Sequence, residues 1–366
     1  MESFSKFHRI LFHIKQWVIR HRKLALILIG FLLTIIVLAV YALFFGKPKV
    51  ASTPAVTNTQ TETAPTPEPV KYYSPLTGLL VKTETDTKKA VTGVMIENSP
   101  DARPQSGLKN SGVVFEAIAE GGITRFLVLY QQEKPQMIGP VRSLRQYDTD
   151  WLAAFNAGIA HVGGSYYALQ QIRNGSYRDL DQFFNSGSYW RASDRYAPHN
   201  VYTSFKKLDA LNNSKGYTSS KFTGFTRVDG KASSKPTAST VNITISSDLY
   251  NSVYKYSAKT NKYTRYQGGD FHLDREDGKI TPSVVIAMYV NETSVFQDGW
   301  REQITTTGKG KAVIFQNGAA TSVTWSKKNQ TSQIKFTDKN SKDVPLVRGQ
   351  TWIAAVPNDS GGVSWK

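Results

Sequence analysis

The 366-residue sequence has a formal net charge of +17, because 45 lysines and arginines exceed 28 acids, and it contains no cysteine. Without cysteine it can form no disulfide, thiol nucleophile or thiolate metal site. Its length predicts two or three full-sized domains that are stabilised by their cores alone. The basic residues are spread along the chain without a concentrated run. This pattern suits an anionic envelope surface better than a nucleic-acid groove, which would need a concentrated basic stripe, so no nucleic-acid partner is predicted.

An uncharged apolar run, Leu24–Phe45, lies near the N-terminus. It would span roughly 33 Å as a helix, which is enough for a hydrocarbon core of about 30 Å. Basic residues crowd the side before it, so the positive-inside rule places the N-terminus in the cytoplasm. A cleaved signal peptide is the alternative, but the run is too long and no small-residue cleavage site follows. The sequence therefore predicts a single-pass transmembrane helix over 24–46, with the bulk of the chain outside the cell membrane.

Two segments flank this helix. Residues 1–23 form a basic cytoplasmic tail that sets the topology, and the apolar residues between Phe4 and Val18 make an amphipathic helix on the inner leaflet the alternative. Residues 47–71 are rich in threonine and proline and cannot bury a core. They predict an extended linker that reaches roughly 75 Å from the membrane.

The segment 72–234 alternates apolar strands with amphipathic helices, which predicts an α/β or α+β domain. Pro140 is suited to the first turn of one helix, and Ser165 is suited to the N-cap of the next. The predicted elements are strands at 91–96, 113–118, 126–131 and 159–162 and helices at 141–156, 166–173 and 204–212.

The segment 235–366 contains short alternating strands separated by turn signals such as Asn317-Gly318. This spacing predicts a mainly antiparallel β domain, either a sandwich or a barrel. Tyrosines recur two residues apart at Tyr254 and Tyr256, with Tyr263 and Tyr266 further on. Such aromatic stripes usually fill a core, and stacking on sugar rings is the alternative.

Several uncommon strings recur along 74–357. They are Ser74–Leu79, Asn98–Leu108, Phe115–Ala117, Glu120–Phe126, Ile138–Ser143, His161–Ser165 and Pro198–Thr203. Together they resemble the YerB-like family, bacterial proteins with an N-terminal and a C-terminal conserved domain outside the membrane. The resemblance implies an extracytoplasmic location and no particular activity. It also implies a lipidated cysteine, and this chain departs from that pattern because it has none.

Arginines and glycines near strand ends indicate a pocket for a carboxylate or phosphate. Arg142 and Arg145 stand three apart in a predicted first helical turn, so both can project to one side. The N–H groups that precede the next helix can also face an anion. Pairing of the arginines with Glu116, Glu120 and Asp148 inside the domain is the alternative. The predicted ligand-binding residues are Arg125, Arg142, Arg145, Gly163, Gly164, Ser165 and Asn200.

An acid–base site is a second hypothesis for the same segment. The candidate acids are Glu116 and Glu120, and the candidate bases are His161 and His199. Ser165 lacks the spacing of a nucleophile elbow. No run of residues has metal-ligand spacing, so neither a metal nor a cofactor is predicted.

These patterns favour an extracytoplasmic module that binds an anionic cell-wall polymer or an envelope protein. An enzyme acting on wall glycan, with a glutamate and a histidine as acid and base, is the first alternative. A scaffold for wall-synthesis or division proteins is the second.

Overall fold

A computed structural model describes residues 20, 21, 23, 33–35, 37, 38, 70–296 and 299–366. The predicted cytoplasmic tail, transmembrane helix and linker lie almost entirely outside these residues. Within the described part of the chain, no helix is both long enough and apolar enough to cross a membrane. Pro69–Lys366 forms one compact unit.

Strands dominate this unit, and its helices are short. In chain order the strands are β1 (Tyr72–Tyr73), β2 (Leu80–Val81), β3 (Thr92–Glu97), β4 (Val113–Glu120), β5 (Ile123–Tyr130), β6 (Gly158–Ala160), β7 (Arg178–Asp179), β8 (Trp190–Arg191), β9 (Val201–Tyr202), β10 (Arg227–Val228), β11 (Thr240–Thr244), β12 (Ser252–Ser257), β13 (Lys262–Gln267), β14 (Asp270–Phe271), β15 (Leu273–Asp274), β16 (Gly278–Lys279), β17 (Val284–Val290), β18 (Glu292–Phe296), β19 (Trp300–Ile304), β20 (Gly308–Gln316), β21 (Ala319–Lys327), β22 (Lys335–Thr337), β23 (Leu346–Val347), β24 (Thr351–Pro357) and β25 (Gly362–Trp365). The helices are α1 (Glu84–Thr87), α2 (Gln146–Ala153), α3 (Tyr166–Asn174) and α4 (Phe205–Ser214), with 3₁₀ turns at Pro100–Ala102 and Ser186–Ser188.

One mixed sheet runs through both predicted segments. Its strand order is β22-β21-β20-β17-β24-β4-β5-β3-β6-β7. Strand β24 pairs in parallel with both β17 and β4, so a strand from near the C-terminus lies between one from each segment. This parallel pairing departs from the antiparallel sandwich or barrel expected for 235–366. The mainly β character of that segment is confirmed.

Each face of the large sheet is covered by a separate core. Strands β17 and β24 are almost continuously apolar and buried, which is typical of strands that are covered on both faces. On one face Phe115 of β4 stacks on Trp151 of α2, with ring centroids 5.1 Å apart. On the other face Val114 joins a core that includes Phe205 of α4.

A five-stranded antiparallel sheet, ordered β14-β13-β12-β11-β25, packs on that second face. The aromatic residues Tyr254 and Tyr263, for which sugar stacking was the alternative, are completely buried within this layer. They fill the core, as the commoner interpretation of aromatic stripes predicts.

The helix expected from residue 141 begins instead at Gln146. The residues before it are extended, because the Val141 N–H donates to Val201 O at 2.7 Å and the Arg142 N–H donates to Met95 O at 2.9 Å. Arg142 and Arg145 are therefore not in the first turn of a helix, and the expectation that they project together from one turn was wrong.

Candidate functional site

A cleft of about 640 Å³ opens where three loops meet. The first loop follows β3 and contains the 3₁₀ turn Pro100–Ala102, the second joins β8 to β9, and the third follows β15. The third loop comes from the second predicted segment, so both segments line the cleft. The lining residues are Asp101, Arg103, Pro104, Asp194, Arg195, Tyr196, His199 and Arg275.

A buried carboxylate, that of Glu97 at the end of β3, orients the histidine of this cleft. Its Oε1 atom lies 3.0 Å from His199 Nδ1 and 3.2 Å from Arg142 Nε. The Ser99 hydroxyl donates to the same oxygen at 3.1 Å. Because a carboxylate only accepts, this contact requires a hydrogen on His199 Nδ1. The other ring nitrogen, Nε2, lies 3.9 Å from Oδ2 of Asp101, which also lines the cleft.

Arg103 and Arg195 line the cleft without a carboxylate partner among the described residues. Arg195 donates to the backbone carbonyls of Asp101 and Pro104, at 2.8 and 2.7 Å. Arg103 Nη2 donates to two further backbone carbonyls, at 3.0 and 2.9 Å. Carbonyl groups hold the guanidinium planes in place without cancelling their charge. The two arginines therefore supply positive charge to the cleft in fixed positions.

The remaining arginine of the cleft differs, because Arg275 forms an ion pair with Asp194. Hydrogen bonding within this pair raises the pKa of Arg275 and lowers the pKa of Asp194. Burial lowers the pKa of Arg103, although a guanidinium remains charged at neutral pH. The charges available to a ligand are thus mainly those of Arg103 and Arg195.

Asn200, one of the predicted ligand-binding residues, holds the loop between β8 and β9. Its Nδ2 atom donates to the carbonyls of Ala192 and Arg195, at 3.3 and 3.2 Å. Its Oδ1 atom accepts from Arg191 Nη1 at 2.8 Å. The amide is nearly buried, so it fixes the loop that presents Arg195 and His199 rather than facing the cleft.

Arg125 and Arg145 lie elsewhere and share the carboxylate of Glu120. Arg125 Nη2 donates to Glu120 Oε1 at 2.8 Å, and Arg145 Nε donates to Oε2 at 2.9 Å. Burial alone would raise the pKa of Glu120, but the two guanidinium groups outweigh it and hold this pKa at about 2. This is the internal pairing that the sequence offered as the alternative to a ligand pocket.

Glu116 is buried in a different network. Both of its oxygens accept from Arg265 Nη2, at 2.8 and 2.7 Å, and Oε2 also accepts from Trp352 Nε1 at 2.8 Å. The side chain is 1% exposed. It therefore has no access to a substrate in this arrangement.

His161 and the glycine-rich turn after it are also occupied by protein groups. His161 is fully buried, with Nδ1 2.7 Å from Gly163 O and Nε2 3.0 Å from Asp179 Oδ1. The Gly163 N–H donates to Asp181 Oδ1 at 3.1 Å, and the Ser165 N–H donates to Leu144 O at 3.1 Å. Ser165 is the N-cap of α3, as predicted.

Of the candidate residues, only His199 lines the cleft. Arg142 contacts Glu97 and Asn200 holds the loop of His199, so both lie behind the cleft, and the structure places the others away from it. Sequence reasoning missed Glu97, Arg103, Arg195 and Arg275. The polar run after the apolar strand β3 was a local signal for the first two. Arg275 could not be found this way, because its loop is distant in sequence. Among the described residues, no group of three or more histidine, aspartate or glutamate side chains could hold a metal ion.

Comparison with known proteins supports the sequence resemblance. Residues 76–218 match the N-terminal domain and residues 241–353 the C-terminal domain of a family described as protein of unknown function (DUF3048). The chain is similar to the "Putative lipoprotein YerB" of Bacillus subtilis (strain 168), with 34% identity over 304 residues that cover 80% of this chain and 89% of the relative. It is also similar to the crystal structure of the YerB protein from Bacillus subtilis, with 31% identity, a TM-score of 0.71 and coverage of 80% of this chain and 100% of that one. The chain therefore belongs to the YerB-like DUF3048 family.

Proposed function

We propose that this protein is an extracytoplasmic cell-envelope protein whose cleft binds an anionic ligand. The observation that carries the proposal is the pair Arg103 and Arg195, which line an open cleft and have no carboxylate partner among the described residues. Guanidinium groups held in this way match carboxylate and phosphate groups. Cell-wall polymers carry both, and such a polymer is the proposed partner.

A single transmembrane helix over 24–46, with the tail 1–23 in the cytoplasm, is the proposed anchor. The name of the Bacillus relative, a putative lipoprotein, supports an envelope location. The sequence contains no cysteine to carry a lipid, and its apolar N-terminal run would hold the chain in the membrane instead.

Calorimetric titration of the full chain in detergent micelles tests the binding function. The titrants are muropeptides, teichoic-acid fragments and phosphosugars. Arg103→Gln and Arg195→Gln each remove one charged hydrogen-bond donor, so we expect each variant to bind about tenfold more weakly. Arg178→Gln is the matched control, since Arg178 also donates to neutral oxygens but lies outside the cleft. Absence of binding to all titrants, or equal affinity in all three variants, would contradict the proposal.

The Glu97–His199 pair favours one second function, acid–base catalysis in the same cleft. A carboxylate that orients Nδ1 leaves Nε2 free to accept a proton from water or a substrate hydroxyl. Of the four acid–base candidates from the sequence, only His199 lines the cleft. The test is release of soluble products from purified cell walls over time. A catalyst predicts that His199→Gln abolishes release while binding persists, whereas a binding module predicts no release by either protein.

A further inference from the structure

The cleft contains a negative charge that a purely anionic ligand would not use. Asp101 lines the cleft, and its side chain is 81% exposed. Among the described residues its nearest ionisable partner is His199, whose Nε2 lies 3.9 Å away. No ion pair joins it to Arg103 or Arg195 in the described part of the chain, whereas the other acid of the cleft, Asp194, is neutralised by Arg275.

The positive and negative groups of the cleft are held side by side. Arg195 Nη1 donates to the backbone carbonyl of Asp101, so the two residues are fixed next to each other, although among the described residues no ion pair joins their charged groups. Arg103 stands two residues further along the same loop. Because all three residues line the same cleft, a ligand bound there lies near the Asp101 carboxylate as well as the arginines. For an all-negative ligand this contact is repulsive.

Resting on the proposed function, we infer that the ligand carries one ammonium group in addition to its anionic groups, as a free amino acid or a peptide with a free amine does. The ammonium group pairs with Asp101, and the carboxylates pair with Arg103 and Arg195. A volume of about 640 Å³ accommodates such a molecule rather than a single ion. The exposed ring of Tyr196 and the side chain of Pro104 offer surface to the carbon skeleton.

The test compares four probes by calorimetry on the full chain in detergent micelles. They are the dipeptide alanylglutamate, its N-acetyl form, its form with both carboxylates amidated, and inorganic phosphate. Acetylation removes the ammonium charge and amidation removes the carboxylates. We expect acetylation to weaken binding to the unmodified protein about tenfold and amidation to weaken it at least as much.

Asp101→Asn separates the two contacts. Because the side chain is exposed, the variant should keep the melting temperature of the unmodified protein. Its affinity for alanylglutamate should fall to that for the acetylated form, and acetylation should then have no further effect. Asp209→Asn, which removes an acid outside the cleft, is the matched control and should behave as the unmodified protein.

The outcomes distinguish this inference from the function on which it rests. Equal affinity for alanylglutamate and its acetylated form, with loss of both in Arg195→Gln, overturns the ammonium contact and leaves an anion-binding cleft. Tighter binding of inorganic phosphate than of alanylglutamate would also overturn the ammonium contact and leave an anion-binding cleft. If none of these probes binds while a muropeptide, teichoic-acid fragment or phosphosugar does, the inference alone fails. If none of the titrants in either experiment binds, the proposed function and the inference both fail.

Discussion

The buried carboxyl of Asp148 is an unusually weak acid. Its Oδ2 atom accepts from the Arg145 N–H at 3.0 Å and so stabilises the start of α2. Burial raises the pKa of Asp148 to about 7, and the hydrogen bond and the neighbouring arginines offset only part of that effect. The native state therefore holds a proton here at a pH where the unfolded chain has released it.

Asp148→Asn should make the protein more stable at pH 8 than it is with aspartate. Because the folded pKa lies above the unfolded one, the contribution of Asp148 to stability is complete below about pH 4 and is lost as the pH rises through 7. Asparagine keeps an acceptor for the Arg145 N–H and carries no charge. We expect a gain of about 2 kcal/mol at pH 8 that vanishes below about pH 4, measured by urea unfolding.

Asp209→Asn serves as the control for this measurement, since Asp209 pairs with Lys134 at the surface. It should change stability by less than about 1 kcal/mol at either pH. A loss of stability in Asp148→Asn at pH 8 would show that the carboxylate is ionised and useful in the native state.

At the scale of elements, the start of α3 depends on close backbone contact. The chain at Gly164 runs beside Leu144, and the Ser165 N–H donates to Leu144 O at 3.1 Å. A Cβ atom on Gly164 would lie 2.9 Å from Leu144 O, which is backbone and cannot rotate away. The glycine is thus required by packing, whereas the sequence suggested a role in anion binding.

Gly164→Ala should lower the free energy of unfolding by about 1–3 kcal/mol without changing affinity for anionic ligands. Thermal unfolding and calorimetry on the same preparation measure the two quantities. Gly187→Ala is the control, because a Cβ atom there would meet nothing within 4 Å. If Gly164→Ala instead lost ligand affinity at unchanged stability, the turn would be a binding element after all.

Elements whose signals are local were predictable from the sequence. Ser165 is the predicted N-cap of α3, and the glycine after α3 ends it. The helix predicted from residue 204 begins one residue later, at Phe205. The start of α2 was misplaced, since Val141 is drawn into contact with β3 and β9 by residues far away in the chain. The parallel pairing of β24 with β4 is also non-local, and strand patterning carries no information about such partners.

The residues of the candidate cleft could likewise be predicted only where their signals are local in the sequence. The sequence placed His199 and Asn200 in one loop, and that loop does border the cleft. It could not indicate that Arg275 would close the opposite side, because this depends on the Arg275 N–H donating to Gln105 O at 2.7 Å. An internal arginine–glutamate pair and a pocket for an anion both contain arginines near acidic residues in the sequence. Only the coordinates show that Arg125 pairs with Glu120 whereas Arg195 lines the cleft.

At the scale of the whole molecule, a buried ion pair joins the two family domains. Glu116 lies within residues 76–218, and both Arg265 and Trp352 lie within 241–353. The Arg265 guanidinium lies 4.5 Å from the ring centroid of Trp352. Burial would lower the pKa of Arg265, but Glu116 outweighs it and the pKa is raised. Each of these two buried charges is thus stabilised by the opposite charge in the other family domain.

A double-mutant cycle measures this coupling. Arg265→Met leaves the Glu116 carboxylate buried without its cation and should cost about 3–5 kcal/mol in urea unfolding of the full chain. Glu116→Gln removes the charge and keeps an acceptor for Trp352 Nε1. The double variant should therefore be more stable than Arg265→Met alone, by about 2 kcal/mol.

The exposed pair Lys134 and Asp209 provides a reference cycle, whose coupling energy should stay below about 1 kcal/mol. Equal coupling in the two cycles would mean that the buried pair does not hold the domains together, and that shared strand pairing alone does so.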